Sequence, residues 1–97
     1  MPSLHEEVIA EIQNSKIPHD FTKLVDGSKI VFHIGDRTQF NHLAQFLNRR
    51  AGVVRTNFLD HLMGEWLKTK GLPKNTYAIQ KHPPKGAAAK ITLTLKH

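Results

Sequence analysis

Residues 29–50, KIVFHIGDRTQFNHLAQFLNRR, change period in the middle, and that change decides the fold class. Ile30, Phe32 and Ile34 alternate with Lys29, Val31 and His33, the pattern of a strand with one buried face. Gly35 and Asp36 stop the alternation. Asp36, with Gln39 three residues on, suits a helix N-terminus. Phe40, Leu43, Ala44 and Leu47 then recur at helical spacing, which predicts a helix from about Arg37 to Arg50.

Downstream, Ala51 and Gly52 break the helix, and Val53 and Val54 lead to a third one, about Thr56 to Lys70. Thr56 suits its N-cap. Phe58, Leu59, Leu62, Met63, Trp66 and Leu67 form a wide apolar stripe, and Gly71 with Pro73 predicts a sharp stop. The tail reads as a hairpin with arms Thr76–His82 and Lys90–Leu95 around a Pro83–Ala88 loop. Upstream, Ser3 and Glu6 frame a helix over Leu4–Asn14 whose Leu4, Val8 and Ile12 share a face, joined by Ile9. Ile17–Gly27 reads as a connection anchored by Phe21, Leu24 and Val25, closing in an Asp26-Gly27-Ser28 turn.

The expected architecture is therefore α+β, one domain over residues 1–97, in the order α–β–α–α–β–β. An acidic helix and linker (1–28) precede the strand and two-helix unit (29–71) and the β-hairpin (75–96). At 97 residues and 39% hydrophobic content, one modest core is the expectation.

Composition narrows the function. The absence of cysteine excludes a disulfide framework, a cysteine zinc site, an Fe–S cluster and a cysteine nucleophile. No apolar run is long enough for a membrane span, and the acidic start lacks the basic region of a secretory signal. The expectation is a cytoplasmic protein, or a nuclear one in a eukaryote. The net charge of +6 is unevenly placed. Residues 1–36 carry three positive groups against six negative, a net −3; residues 37–97 carry eleven against two, a net +9. Such a basic segment points to a polyanionic partner, nucleic acid first. Arg49, Arg50 and Arg55 cluster at the helix junction, where arginine forks suit phosphate. Solvated helix ends are the plainer account of Arg49 and Arg50, which complement the C-terminal dipole.

Over residues 3–95 this order of elements resembles the winged-helix family, and Leu67–Leu72 resembles the close of its recognition helix. The resemblance implies duplex DNA binding and transcription regulation. The third helix would enter the major groove, turning Arg55, Asn57 and His61 toward the DNA, with Lys68 on a phosphate. The hairpin would set Lys81, His82, Lys85 and Lys90 beside the backbone. Residues 29–70 also resemble the ribbon–helix–helix family, through the rhythm of Gly52-Val53-Val54-Arg55-Thr56-Asn57-Phe58-Leu59. That resemblance implies a dimer whose paired strands enter the major groove, with Lys29, Val31 and His33 facing the bases.

Trp66 and Met63 fall in the apolar stripe, which fits core packing or a homodimer through their face. Gly64 inside a helix suits a close approach of another element. Seven scattered histidines show neither an HExxH motif nor i, i+4 pairing, so no metal and no cofactor are expected. The reading is a small nucleic-acid-binding regulator or accessory factor that acts by binding rather than catalysis. Two alternatives belong to other classes. One is a protein-interaction or inhibitor module, its basic face on an acidic partner and Phe58, Met63 or Trp66 completing the interface. The other is a metal-free ribonuclease toxin using His61, Arg55 and Tyr77.

Overall fold

A computed structural model describes residues 3–51, 59–85 and 88–96. Its elements run α1 (Leu4–Gln13), β1 (His19–Leu24), β2 (Gly27–Ile34), α2 (Arg37–Ala51), α3 (Leu59–Thr69), a short 3-10 turn (Lys74–Thr76), β3 (Tyr77–Lys85) and β4 (Ala88–Lys96). The described residues form an α+β domain with three helices and one antiparallel sheet, ordered β1-β2-β4-β3.

The expected order α–β–α–α–β–β is corrected by one element. The connection assigned to Ile17–Gly27 contains β1, so the order is α–β–β–α–α–β–β. β1 pairs with β2 across the Val25-Asp26 turn, from His19 opposite Phe32 to Leu24 opposite Gly27. It is an edge strand with no fully buried residue, so its sequence lacks the strong alternation of β2.

The helix ends follow their local chemistry. Ser3 Oγ accepts the Glu6 N–H of α1 at 3.2 Å. Asp36 Oδ1 accepts the Gln39 N–H at 2.8 Å, while the Gln39 side-chain oxygen accepts the Gly35 N–H. At the end of α3, Gly71 takes φ +77°. Its N–H donates to the Lys68 carbonyl at 2.9 Å, and the Leu72 N–H donates to that of Leu67 at 3.4 Å, the Schellman arrangement that glycine permits.

Strand register assigns each side chain to a face. Ile30, Phe32 and Ile34 of β2 and Ile91, Leu93 and Leu95 of β4 lie on one face, buried in a single cluster with residues of all three helices. Burying each large apolar side chain contributes roughly 1.5–3 kcal/mol. On α1 the buried stripe is His5, Val8 and Ile12: Val8 and Ile12 are as expected, and His5 takes the place expected of Leu4. Leu4 is 47% exposed, and His5 Nε2 lies 3.4 Å from Ser28 Oγ. Met63 and Trp66 are both 0% exposed within this one chain. The face offered above for a homodimer is thus corrected to core. β2 is likewise flanked by β1 and β4 of its own chain and leaves no free edge for the strand pairing that the ribbon–helix–helix resemblance implies.

Candidate nucleic-acid interface

Among the described residues no helix packs on the second face of the sheet. Its side chains follow from the register: Asp20, Thr22 and Leu24 of β1; Lys29, Val31 and His33 of β2; Lys90, Thr92, Thr94 and Lys96 of β4; Ala78, Gln80 and His82 of β3. Lys29 stands opposite Thr94. His33 and His82 flank Lys90 from the two neighbouring strands. Lys90 and Lys96 are six positions apart on β4, about 20 Å along the strand. Asp20 contributes the one carboxylate among these strand residues. Its Oδ2 meets His33 Nε2 at 2.5 Å, a diagonal contact between adjacent strands. Thr92 Oγ1 lies 3.4 Å from His82 Nε2, which leaves hydroxyl, imidazole and ammonium groups in adjoining rows.

Of the nine residues expected to contact nucleic acid, the seven that are described are distributed over three places. Arg49 and Arg50 come together on α2, both lining a cleft of about 190 Å³ against Lys16 and Ile17. Arg50 is also a structural partner: its Nε lies 2.8 Å from Glu11 Oε1, and its guanidinium stands 5.7 Å over the Phe46 ring. His61 and Lys68 are exposed on α3, seven residues apart and so on one side of the helix. Lys68 Nζ is 3.4 Å from Glu65 Oε1, and Asp60 also belongs to α3, so the outer side of this helix is not distinctly basic. Lys81, Lys85 and Lys90 share the hairpin but not one face. Lys90 lies on the open face, whereas Lys81 pairs with Ile91 and belongs to the other. The backbone of Lys85 pairs with Ala88; its side chain lies outside the described residues, as do Arg55 and Asn57.

Lys16, His42 and Lys96 are basic or imidazole groups on these surfaces that the sequence reading did not select. Their grouping depends on tertiary placement, and only the strand period of Lys96 gave any signal. His33, His42 and His61 fall on β2, α2 and α3 respectively, and no three His, Asp or Glu side chains among the described residues converge in a metal-binding geometry. Tyr77 is half-buried against the core. No helix among the described residues is long and apolar enough to cross a membrane. Compared with protein-family models, curated proteins and solved structures, the chain matches none.

Proposed function

We propose that this chain is a nucleic-acid-binding protein that holds the phosphate backbone against the helix-free face of its sheet. The observation that carries the reading is the placement on one face of Lys29, Lys90 and Lys96 with His33, His82 and a row of threonines, against the single carboxylate of Asp20. Lysines are compact point charges for phosphate oxygens, and the hydroxyls of Thr22 and Thr94 add neutral donors, whereas Thr92 is buried. Among the described residues no aromatic side chain stands on this face, so stacking of unpaired bases has no platform there. That favours contact with the backbone of a duplex.

The winged-helix docking geometry is a second form of the same proposal. Pairing of β2 with β4 of the tail hairpin within one chain favours it, because that resemblance requires the strand before the two helices to join the hairpin. His61 and Lys68 of α3 would then contribute, together with Arg55 and Asn57, which lie outside the described residues. In either form the protein acts as a regulator or accessory factor, by binding.

The test is fluorescence anisotropy with a mixed-sequence DNA duplex between about 50 and 200 mM salt. Three lysine–phosphate contacts predict roughly a 40-fold loss of affinity over that range. Each of Lys29→Gln, Lys90→Gln and Lys96→Gln is expected to lower the salt slope by about one. A loss confined to His61→Ala and Lys68→Gln would move the interface to α3. Duplex binding that ignores salt would overturn the reading, as would salt-sensitive binding to an acidic protein with none to duplex.

A further inference from the structure

We propose that the cleft beside α2 is a binding site for a phosphomonoester, separate from the sheet face and independent of it. On α2, His42, Gln45 and Arg49 follow at i, i+3 and i+7, so one helix face presents an imidazole, an amide and a guanidinium in a row. The opposite wall is the chain leaving α1, and Lys16 extends it with an ammonium group. No carboxylate lines this cleft. Among the described residues neither Lys16 nor Arg49 forms an ion pair.

The floor is apolar. Ile17 is buried and Phe46 half-buried, so charges above it act through a poorer dielectric than open water. Arg50 arrives preorganised, fixed through Nε to Glu11 and lying over Phe46. The demand of a helix C-terminus for cations accounts for Arg49 and Arg50 but places no basic group at residue 16. Forked guanidinium, point-charge ammonium and amide donors together match the several acceptor oxygens of a phosphoryl dianion.

Size and continuation narrow the ligand. About 190 Å³ lies below the range of whole small-molecule pockets and suits a terminal phosphoryl group. Beyond Arg50 the groove is bordered by Glu7 and Glu11, which repel an anion. In the other direction, past His42, a further space of about 200 Å³ runs to Thr38, Gln39 and Pro18 and carries no carboxylate. The phosphoryl group therefore sits between Lys16 and Arg49, and its ester substituent extends toward Thr38. A free nucleotide and the 5′-phosphate of a strand both present this chemistry.

Titration calorimetry and amide NMR on the whole chain test the site with a nucleoside 5′-monophosphate, the matching nucleoside and inorganic phosphate. Saturable binding of both phosphates is expected, with shifts at His42, Gln45 and Arg49 and none from the nucleoside. Arg49→Gln and Lys16→Gln, both at exposed positions, are each expected to weaken it about 10-fold, the loss of one charge-assisted hydrogen bond. Lys90→Gln, on the sheet face, is expected to leave it unchanged. Short oligonucleotides with and without a 5′-phosphate identify the source. A preference for the phosphorylated strand over the mononucleotide assigns strand ends; the reverse assigns free nucleotides. No saturation by about 10 mM phosphate ester would overturn the proposal, as would equal binding of the nucleoside or affinities indifferent to both substitutions. Duplex binding by the sheet can fail without changing any of these outcomes.

Discussion

Glu11 on α1 holds Arg50 on α2, Oε1 to Nε, at 2.8 Å. The second carboxylate oxygen meets Lys70 Nζ at 2.7 Å, just past the end of α3. Each cation also covers a ring, Arg50 over Phe46 at 5.7 Å and Lys70 over Trp66 at 5.9 Å, and the two rings meet edge to face at 5.7 Å. The result is a closed circuit that ties all three helices through one side chain only 16% exposed.

Glu11→Gln keeps the shape and removes the charge shared by both cations. It is expected to destabilise the fold by about 1 kcal/mol, since Arg50 is half-exposed and its pairing is partly screened. Urea denaturation at low and at about 1 M salt measures this, with the smaller difference at high salt.

Asp20→Asn removes the carboxylate from the helix-free face and releases His33 from its partner. Affinity for duplex DNA is expected to rise roughly 2- to 5-fold at low salt, the gain narrowing as salt increases. Anisotropy titrations read it directly, and unchanged or weaker binding would count against the sheet face as the interface.

Gly27→Ala tests a close approach of backbones. A Cβ at Gly27 would lie 2.0 Å from the Leu95 carbonyl oxygen, inside the rigid β2–β4 pairing. A cost of about 2–3 kcal/mol is expected, seen as a lower melting temperature in circular dichroism.

Gly64→Ala is expected to act in the opposite direction. A Cβ there would meet only the Ile79 methyl at 3.9 Å, an ordinary contact, so no close packing requires glycine. Relief of the helix-interior glycine predicts a gain of about 1 kcal/mol, or roughly 4–8 °C in melting temperature for a domain of this size.

Met63→Ala separates core from interface. The side chain is wholly buried in the single chain, so truncation is expected to cost about 2–5 kcal/mol. That cost should not vary with protein concentration. A concentration-dependent midpoint would instead indicate that Met63 packs between copies.

Much of this fold is legible in the sequence, because caps and apolar periods are local properties. Ser3, Asp36 and Gly71 each mark a helix end through contacts within a few residues. The β2 alternation survives because one face is buried and the other is not. β1 escaped because an edge strand with Phe21 as its main anchor buries too little to impose an apolar period, even though Asp26-Gly27 marks its turn. The candidate surfaces are only half legible. Arg49 and Arg50 stand out as charge, but their partners Lys16 and Glu11 are more than thirty residues away and join them only when α1 docks. The opposed directions of Lys81 and Lys90 depend on the hairpin register, which neither arm fixes alone.

The sheet order β1-β2-β4-β3 carries a kinetic consequence. The β1–β2 and β3–β4 hairpins can each zip from its own turn, but neither completes the sheet. The seam between them joins residues from 55 positions apart, Ile34 with Ala89, to 69 apart, Gly27 with Lys96. Closing so large a loop makes this pairing the slow step in assembly. On the ribosome, β2 has no partner on its inner edge until β4 has been translated, so nascent chains pass through a stage in which the apolar face and a strand edge stand open together.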